Sequence, residues 1–340
     1  MTPARFPLVS VVVPVLNESA HLPELLPRLR SVADLEILYR FEFVFVDDGS
    51  TDGTVAALCA AAEHDPRVKI LQFTRNFGHQ VALTAGLTEA SGDAAVTLDG
   101  DLQHPPELIH AFLRAWEGGA QVVLGVRKGR QGSWFKRKSA ALFYKLINRW
   151  SDVPVVPEAA DFRLLSRPAV DELLRLKERA RFLRGLVGWM GYEPFLVPYD
   201  EAERLHGKTR YSLARMLWLA ADALTSFSAV PLRISTLAGA LTSAAAGVYG
   251  VYVLGMRLLH PERIVSGWTS LVLTLLVLGG IQLFSLGIVG EYLYRIYDEV
   301  KGRPLYVLRR RVGFEDGPAA SVSEPARPYR SQESRTGVPS

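Results

Sequence analysis

The chain has a single cysteine, Cys59, among 340 residues, which excludes any intramolecular disulfide and fits a reducing compartment. Cys59 sits in an alanine-rich helical stretch and reads as a small buried hydrophobe. The N-terminal residues lack the basic segment and small-residue cleavage site of a secretory leader, so none is expected. Internal repeats are absent. A formal net charge of +4 is too modest to argue for nucleic acid. No helix-turn-helix, zinc-finger or aromatic RNA-binding pattern accompanies it.

Charge is missing altogether from two long runs, Ile234 to Met256 and Val265 to Gly290. Each exceeds the roughly 20 residues that a helix needs to cross a bilayer. The alternative, a pair of buried core helices, fits poorly with two uncharged runs side by side at one end of the chain. The short link between them predicts a helical hairpin with both chain termini on one side. Lys208, Arg210, Arg215 and Arg233 precede the first run, and Arg295, Lys301, Arg303, Arg309, Arg310 and Arg311 follow the second. The link holds only Arg257 and Arg263, so the positive-inside rule puts both termini in the cytoplasm. Gly239, Ala240, Ala244, Gly247 and Gly250 in the first run suit packing against another helix, a route to a homo-oligomer.

Between residue 9 and about residue 165, apolar runs alternate with helical patterns. Strands are predicted at Val9–Val15, Phe41–Val46, Val68–Phe73, Ala94–Leu98 and Gln121–Val126. Helices are predicted from the stripe Leu22, Leu25, Leu26 and Leu29, and at Thr51–Glu63, Gln80–Ala90 and Pro106–Trp116. This order predicts an α/β fold, a mainly parallel Rossmann-like sheet with helices on both faces. Residues 166–210 are less regular and are expected to finish the sheet edge and cover the site. Leu213, Met216, Leu217, Ala220, Ala221, Leu224 and Phe227 then follow helical spacing, which predicts an amphipathic helix on the membrane surface. An ordinary helix packed on the sheet is the alternative. From Gly313 the chain is rich in Ser, Pro, Arg and Glu, the composition of a disordered tail.

Acidic and amide side chains recur where these strands end. The first strand runs into Pro14-Val-Leu-Asn17-Glu18, the second into Asp47-Asp48-Gly49-Ser50-Thr51-Asp52, the third into Arg75-Asn76-Phe77-Gly78-His79-Gln80, and the fourth into Asp99-Gly-Asp101-Leu-Gln103. Any one of these reads equally as a turn or a helix cap. In a parallel sheet, however, all four ends meet on one edge, where open α/β sheets bind ligands. Carboxylates gathered there repel one another unless a cation or a hydrogen-bonded ligand relieves them. A hard divalent cation held by Asp99 and Asp101 would in turn hold a diphosphate.

This ordered set resembles the inverting GT-A glycosyltransferases, and within them the polyprenyl-phosphate branch that includes dolichyl-phosphate mannose synthases and bactoprenol glucosyltransferases. The resemblance runs from about Val9 to Leu308 and includes the hairpin. It implies that Pro14, Asn17, Glu18, Asp47, Asp48, Arg75, Gln80 and Asp99 bind a nucleotide sugar. It implies that Asp99, Asp101 and Gln103 hold Mg²⁺ or Mn²⁺, and that Arg127, Asp161 and Arg163 carry catalysis. His206-Gly-Lys208-Thr-Arg210-Tyr211 resembles the family's closing segment, which would bring Lys208 and Tyr211 to the acceptor. Lys136-Arg137-Lys138-Ser139 opens a predicted helix over residues 140–150, and Lys136, Arg137 and Ser139 would receive the acceptor phosphate. A solvated basic face is the other reading of that run.

The implied organisation is a cytoplasmic GT-A catalytic domain at 1–210, a juxtamembrane helix at 211–231 and two spans within 232–292, at about 234–256 and 265–290. A basic cytoplasmic segment at 293–312 and a tail at 313–340 complete the chain. The implied setting is the bacterial inner membrane. The implied reaction is transfer of a sugar, UDP-glucose leading among donors, to an undecaprenyl-type polyprenyl phosphate with inversion. UDP-aminoarabinose derivatives, UDP-GlcNAc, UDP-galactose and GDP-mannose are alternative donors. A processive polysaccharide synthase would carry a Gln-x-x-Arg-Trp motif, absent here. A non-catalytic membrane adaptor would be expected to lose Asp99, Asp101 or Arg127, and all three are present.

Overall fold

The computed structural model describes residues 6–128, 159–179, 181–200, 230–259 and 267–314. The predicted helix over 140–150, the juxtamembrane helix and the residues Lys136, Arg137, Ser139, Lys208 and Tyr211 lie outside them.

Eight strands form one sheet: β1 Leu8–Val15, β2 Arg40–Asp47, β3 Val68–Phe73, β4 Ala94–Thr97, β5 Val122–Arg127, β6 Ala159–Ser166, β7 Phe195–Tyr199 and β8 Leu308–Val312. Their order is β7-β5-β6-β4-β1-β2-β3-β8. The pairs β1–β2, β1–β4, β2–β3 and β5–β7 are parallel. β6 runs antiparallel between β4 and β5, and β8 antiparallel against β3, so the sheet is mixed with a parallel centre.

The central strands are apolar on both faces because both faces are covered. Val9, Val11, Val13 and Val15 of β1 pack with Leu22, Leu25 and Leu29 of α1 (Leu22–Leu35), Leu58 of α2 (Thr54–His64) and Phe112 of α4 (Ile109–Glu117). Val12 of β1, with Val44 and Val46 of β2, faces the other way. It packs with Leu83 of α3 (His79–Glu89), Val170 of α5 (Arg167–Arg175) and Leu186 of α6 (Leu183–Trp189). The period-two alternation thus assigns each helix to a layer. Pro106–Leu108 forms a single 3₁₀ turn ahead of α4, where the sequence predicts one continuous helix.

Gly86 draws α3 close to the sheet: a Cβ there would lie 2.2 Å from Val12 Cγ1. That close approach sets the N-terminal end of α3 directly over the ends of β1 and β2.

The two uncharged runs become long helices, α7 (Val230–Leu259) and α8 (Trp268–Val300). Leu232–Tyr252 and Val277–Val300 within them are long and apolar enough to cross a membrane. Their side chains are not core: Val248 is 73% exposed and Leu283 72%. α8 continues about three turns past Gly290, where the sequence reading ends the span; an Arg295–Glu291 ion pair at 2.9 Å lies in that extension.

Beyond α8 the chain returns to the α/β domain. Arg179 donates from its backbone N to Glu299 Oε2 at 3.0 Å and from Nε to Asp298 Oδ2 at 3.1 Å, and its Nη1 donates to the Arg303 carbonyl. Tyr306 stacks on Phe73 with centroids 5.0 Å apart, Thr74 N donates to Val307 O at 3.0 Å, and β8 follows. Phe314 then lies against the Lys69 and Arg311 cations, 5.2 and 4.7 Å from its centroid. The sequence reading does not anticipate this eighth strand.

Candidate active site

The C-terminal ends of β1, β2, β3 and β4 converge on a cleft of about 400 Å³ lined by Pro14, Glu18, Asp48, His79, Asp99 and Asp101, among others. The loops around it are tied to one another. Asn17 takes a left-handed conformation, φ 57°, that asparagine tolerates. Its Oδ1 accepts from Thr51 N at 2.9 Å, and its own N donates to Ser50 Oγ at 2.9 Å. Glu18 N donates to Thr54 Oγ1 at 2.9 Å, and its carboxylate meets His21 Nδ1 at 2.5 Å. Gly49, at φ 83°, sits where a Cβ would lie 2.7 Å from the Arg75 carbonyl carbon, so the β2 and β3 loops meet backbone to backbone.

Asp47 and Asp48 are buried. Asp48 accepts from Phe77 N at 2.6 Å and from Gly78 N at 3.0 and 3.2 Å, and so shapes the loop that launches α3. Asp47 Oδ1 accepts from Ser50 N at 3.1 Å, while its Oδ2 is buried without a hydrogen bond. Arg75 lies over the Phe77 ring, 4.0 Å from its centroid, and donates to the Asn76 carbonyl at 3.0 Å.

The antiparallel register Thr97↔Arg163 between β4 and β6 carries Asp161 alongside Asp99. Thr97 Oγ1 donates to the Asp161 carbonyl at 2.5 Å and fixes that alignment. The Asp161 carboxylate accepts from Arg163 Nη2, from Arg184 Nε and Nη2 at 3.2 and 3.0 Å, and from Gln80 Nε2 at 3.2 Å. Gln80 Oε1 also accepts from Leu183 N at 3.0 Å, tying α3 to α6. Burial pushes the Asp161 pKa up, but the His79 hydrogen bond and the Arg163 and Arg184 charges outweigh it and hold it well below the carboxylate range. Arg163 is itself fully buried, and desolvation lowers its pKa.

Asp99 has the opposite environment. Its Oδ1 is buried and has no hydrogen bond among the described residues; His79 Nε2 lies 3.4 Å away, and 3.6 Å from Asp161 Oδ2. Burial pushes the Asp99 pKa up to about 6, with the Asp161 and Asp101 charges adding and His79 opposing. Burial lowers the His79 pKa, but Asp161 and Asp99 reverse this and raise it. Asp101 Oδ1 accepts from Gln103 N at 3.1 Å. Arg127, at the end of β5, donates from Nε to Tyr199 Oη at 3.4 Å.

Among the described residues, no group of three His, Cys, Asp or Glu side chains could hold a metal alone. Mg²⁺-type sites commonly use one or two carboxylates and complete their shell with water and substrate phosphates. Asp99 and Asp101 both line the cleft, Asp99 Oδ1 is buried without a hydrogen bond among the described residues, and the pair fits that donor set.

The structure thus brings Pro14, Asn17, Glu18, Asp47, Asp48, Gln80, Asp99, Asp101 and Asp161 to one edge of the sheet. Arg163 backs Asp161 from within the sheet, and Arg127 stands one strand further out. Sequence reasoning misses Arg184 and His104 and quotes His79 only within its motif. His104 is fully buried and follows directly on the Asp-x-Asp run, which is the one signal that could have drawn notice.

Glycosyl transferase family 2 matches residues 10–174. The uncharacterized glycosyltransferase YkcC of Bacillus subtilis (strain 168) is 44% identical over 308 residues, 90% of this chain and 95% of that protein. The prophage bactoprenol glucosyl transferase homolog of Escherichia coli (strain K12) is 40% identical over 89% of this chain and 98% of its own length. The bactoprenol glucosyl transferase of Shigella phage SfII is likewise 40% identical, over 89% and 97%. With the motifs on adjacent strand ends and a similarity that extends through the helical hairpin, the chain belongs to glycosyl transferase family 2.

Proposed function

We propose that the protein transfers glucose from UDP-glucose to a polyprenyl phosphate of the undecaprenyl type, with inversion, at the cytoplasmic face of the inner membrane. The observation that carries this reading is the match to proteins named bactoprenol glucosyl transferase over nearly their whole length, spans included. The charge pattern around the hairpin supports cytoplasmic termini.

Pro14, Asn17, Glu18, Asp47, Asp48, Arg75 and Gln80 would line the nucleotide-sugar site. Asp99 and Asp101, with Gln103, would hold Mg²⁺ or Mn²⁺. When bound, that ion neutralises the charge that grows on the diphosphate as the sugar departs. The acceptor phosphate would meet Arg127, and from outside the described residues Lys136, Arg137, Ser139, Lys208 and Tyr211.

The acceptor needs little help from a base. The second pKa of a phosphate monoester is about 6, so much of it is already a nucleophilic dianion at neutral pH. An ionised carboxylate offers about four lone-pair sites, and Asp161 commits that many to Arg163, Arg184 and Gln80. Asp161 therefore aims these groups rather than taking a proton. Asp161→Asn is expected to retain measurable turnover across a rising pH series. Near-total loss at every pH, with nucleotide binding intact, would establish a general base instead.

The overall test is sugar transfer by the purified, detergent-solubilised protein to undecaprenyl phosphate. UDP- and GDP-sugars are offered in turn with Mg²⁺ or Mn²⁺, and with EDTA as control. One metal-dependent glucolipid is the expected product. A different donor giving the only product would correct the sugar, and no product from any donor despite nucleotide binding would overturn the enzymatic reading.

A further inference from the structure

We infer that His104 is a positioning residue: its ring holds the backbone of the Asp99–Asp101 loop in the shape that presents both carboxylates to a cation. The inference rests on the reading of those carboxylates as cation ligands.

The loop begins where the sheet lets go. Leu98 N still donates to Val12 O at 3.0 Å, but the next amide, Asp99 N, donates instead to His104 Nδ1 at 3.2 Å. The loop is therefore closed on itself by one side chain five residues on. Between the two, Leu102 takes φ 62°, an uncommon and strained conformation for leucine. Leu102 and His104 are both buried, while the neighbouring Asp101 and Gln103 are partly exposed. Alternate residues thus anchor the loop inward and leave the polar ones at the cleft.

The His104 ring has no freedom to turn. It stacks on Phe162, with centroids 5.1 Å apart and planes at 16°, and meets Tyr199 edge-on at 6.0 Å. To accept from Asp99 N, Nδ1 carries no proton, so the hydrogen is on Nε2. That Nε2 is buried and has no hydrogen-bond partner among the described residues. An unsatisfied buried donor is destabilising, and a phenyl ring in the same stack would avoid the penalty. What imidazole offers here and phenyl does not is Nδ1, which accepts from the first amide of the Asp-x-Asp loop and lies 3.5 Å from Asp99 Oδ2. A stability cost at the hinge of the cation loop fits a residue placed for function rather than for packing.

Two substitutions separate the acceptor from the ring. His104→Phe keeps the aromatic stack and removes the acceptor. His104→Asn keeps an acceptor near the Nδ1 position and removes the ring. The readouts are Mn²⁺-dependent UDP binding by titration calorimetry on the full-length protein, free Mn²⁺ by electron paramagnetic resonance, and the thermal unfolding midpoint. Asp101→Asn serves as the reference loss. His104→Phe should weaken Mn²⁺·UDP binding by about 10-fold or more with its unfolding midpoint maintained, as loss of outer-shell support does at metal sites. His104→Asn should unfold at a lower temperature yet bind more tightly than His104→Phe. Wild-type affinity in His104→Phe overturns the inference, and so does equal weakening in both variants, which would assign the effect to ring packing. If the wild type shows no Mn²⁺-dependent binding, or Asp101→Asn leaves it intact, the cation reading itself fails.

Discussion

The two edges of the central sheet differ in how fully they pair their buried polar side chains. At the N-terminal edge, Glu42 of β2 accepts from Ser10 Oγ, Ser91 N and Lys69 Nζ, at 2.5, 2.7 and 2.6 Å, and Gly92 N closes the network on Ser10 Oγ at 2.8 Å. Nearby, Asp65 is clasped by Arg67 and Arg30 at 2.9 Å each. Burial alone would raise the Glu42 pKa, but its donors outweigh burial and lower it. At the C-terminal edge, Asp47 Oδ2, Asp99 Oδ1 and His104 Nε2 are buried with no hydrogen bond among the described residues, and the Asp99 pKa rises to about 6. The first edge pairs Glu42 and Asp65 with donors, and the second leaves open polar atoms beside the fully paired Asp48 and Asp161. The same backbone hydrogen-bonding rules apply at both, so the difference lies in which side chains the loops supply.

The strongest way to break this contrast is Asp99→Asn. Activity should fall about 100- to 1000-fold, the scale of losing one preorganised electrostatic group. Stability should move the other way. The folded pKa of Asp99 lies above its ordinary 3.8, so stability declines as pH rises from there through about 6. With EDTA present at neutral pH, the variant should gain on the order of 2–3 kcal/mol over wild type, shrinking to nothing below pH 4. Denaturation across a pH series checks this, and added Mn²⁺ and UDP should reverse the ranking.

Glu42→Ala tests the other edge. It strands Lys69 and the Ser10 and Ser91 donors, a loss of about 3–5 kcal/mol for a broken buried pair. The kcat/KM of the folded fraction should be unchanged. Because the folded pKa of Glu42 is lowered, its stabilisation is complete above the ordinary 4.5 and fades as pH falls through the folded value. The denaturation midpoint of the variant should therefore approach wild type in acid. A large kcat effect in this variant would sink the division of labour between the edges.

The smallest effect is expected from Arg311→Ala on β8. It removes an ion pair to Glu89 and a cation–π contact to Phe314, together worth about 1 kcal/mol. A shift of a few degrees in the unfolding midpoint, with unchanged donor KM, is the predicted result.

The parts legible in sequence were those with local physical signatures. Val9–Val13 and Phe41–Val46 are too apolar and β-branched to be anything but interior strands, and the structure has them as β1 and β2. The carboxylates at their ends followed, because parallel strands end together. Leu308-Arg-Arg-Arg-Val312 carries no such signature: three consecutive arginines hide an edge strand whose stability comes from pairing with the distant β3, Leu308 opposite Phe73. Arg184 was hidden for a related reason. Its partner, Asp161, is 23 residues away and one helix over, and no periodicity links them. His104 stood in plain view, but only the tertiary stack reveals which of its nitrogens works.

The return of the chain after α8 changes what the hairpin is. The polypeptide leaves the sheet after β7 and rejoins it at β8, so the two long helices are an insertion within a domain rather than an anchor appended to its end. An appended anchor behaves like a tether, swinging on one joint. An insertion gripped through Arg179 and β8 behaves more like a bracket, with limited play between the long helices and the cleft. It also means that a cut before Val230 would not release a whole domain. Such a cut takes away β8 and bares the edge of β3 as a template for strand pairing between molecules.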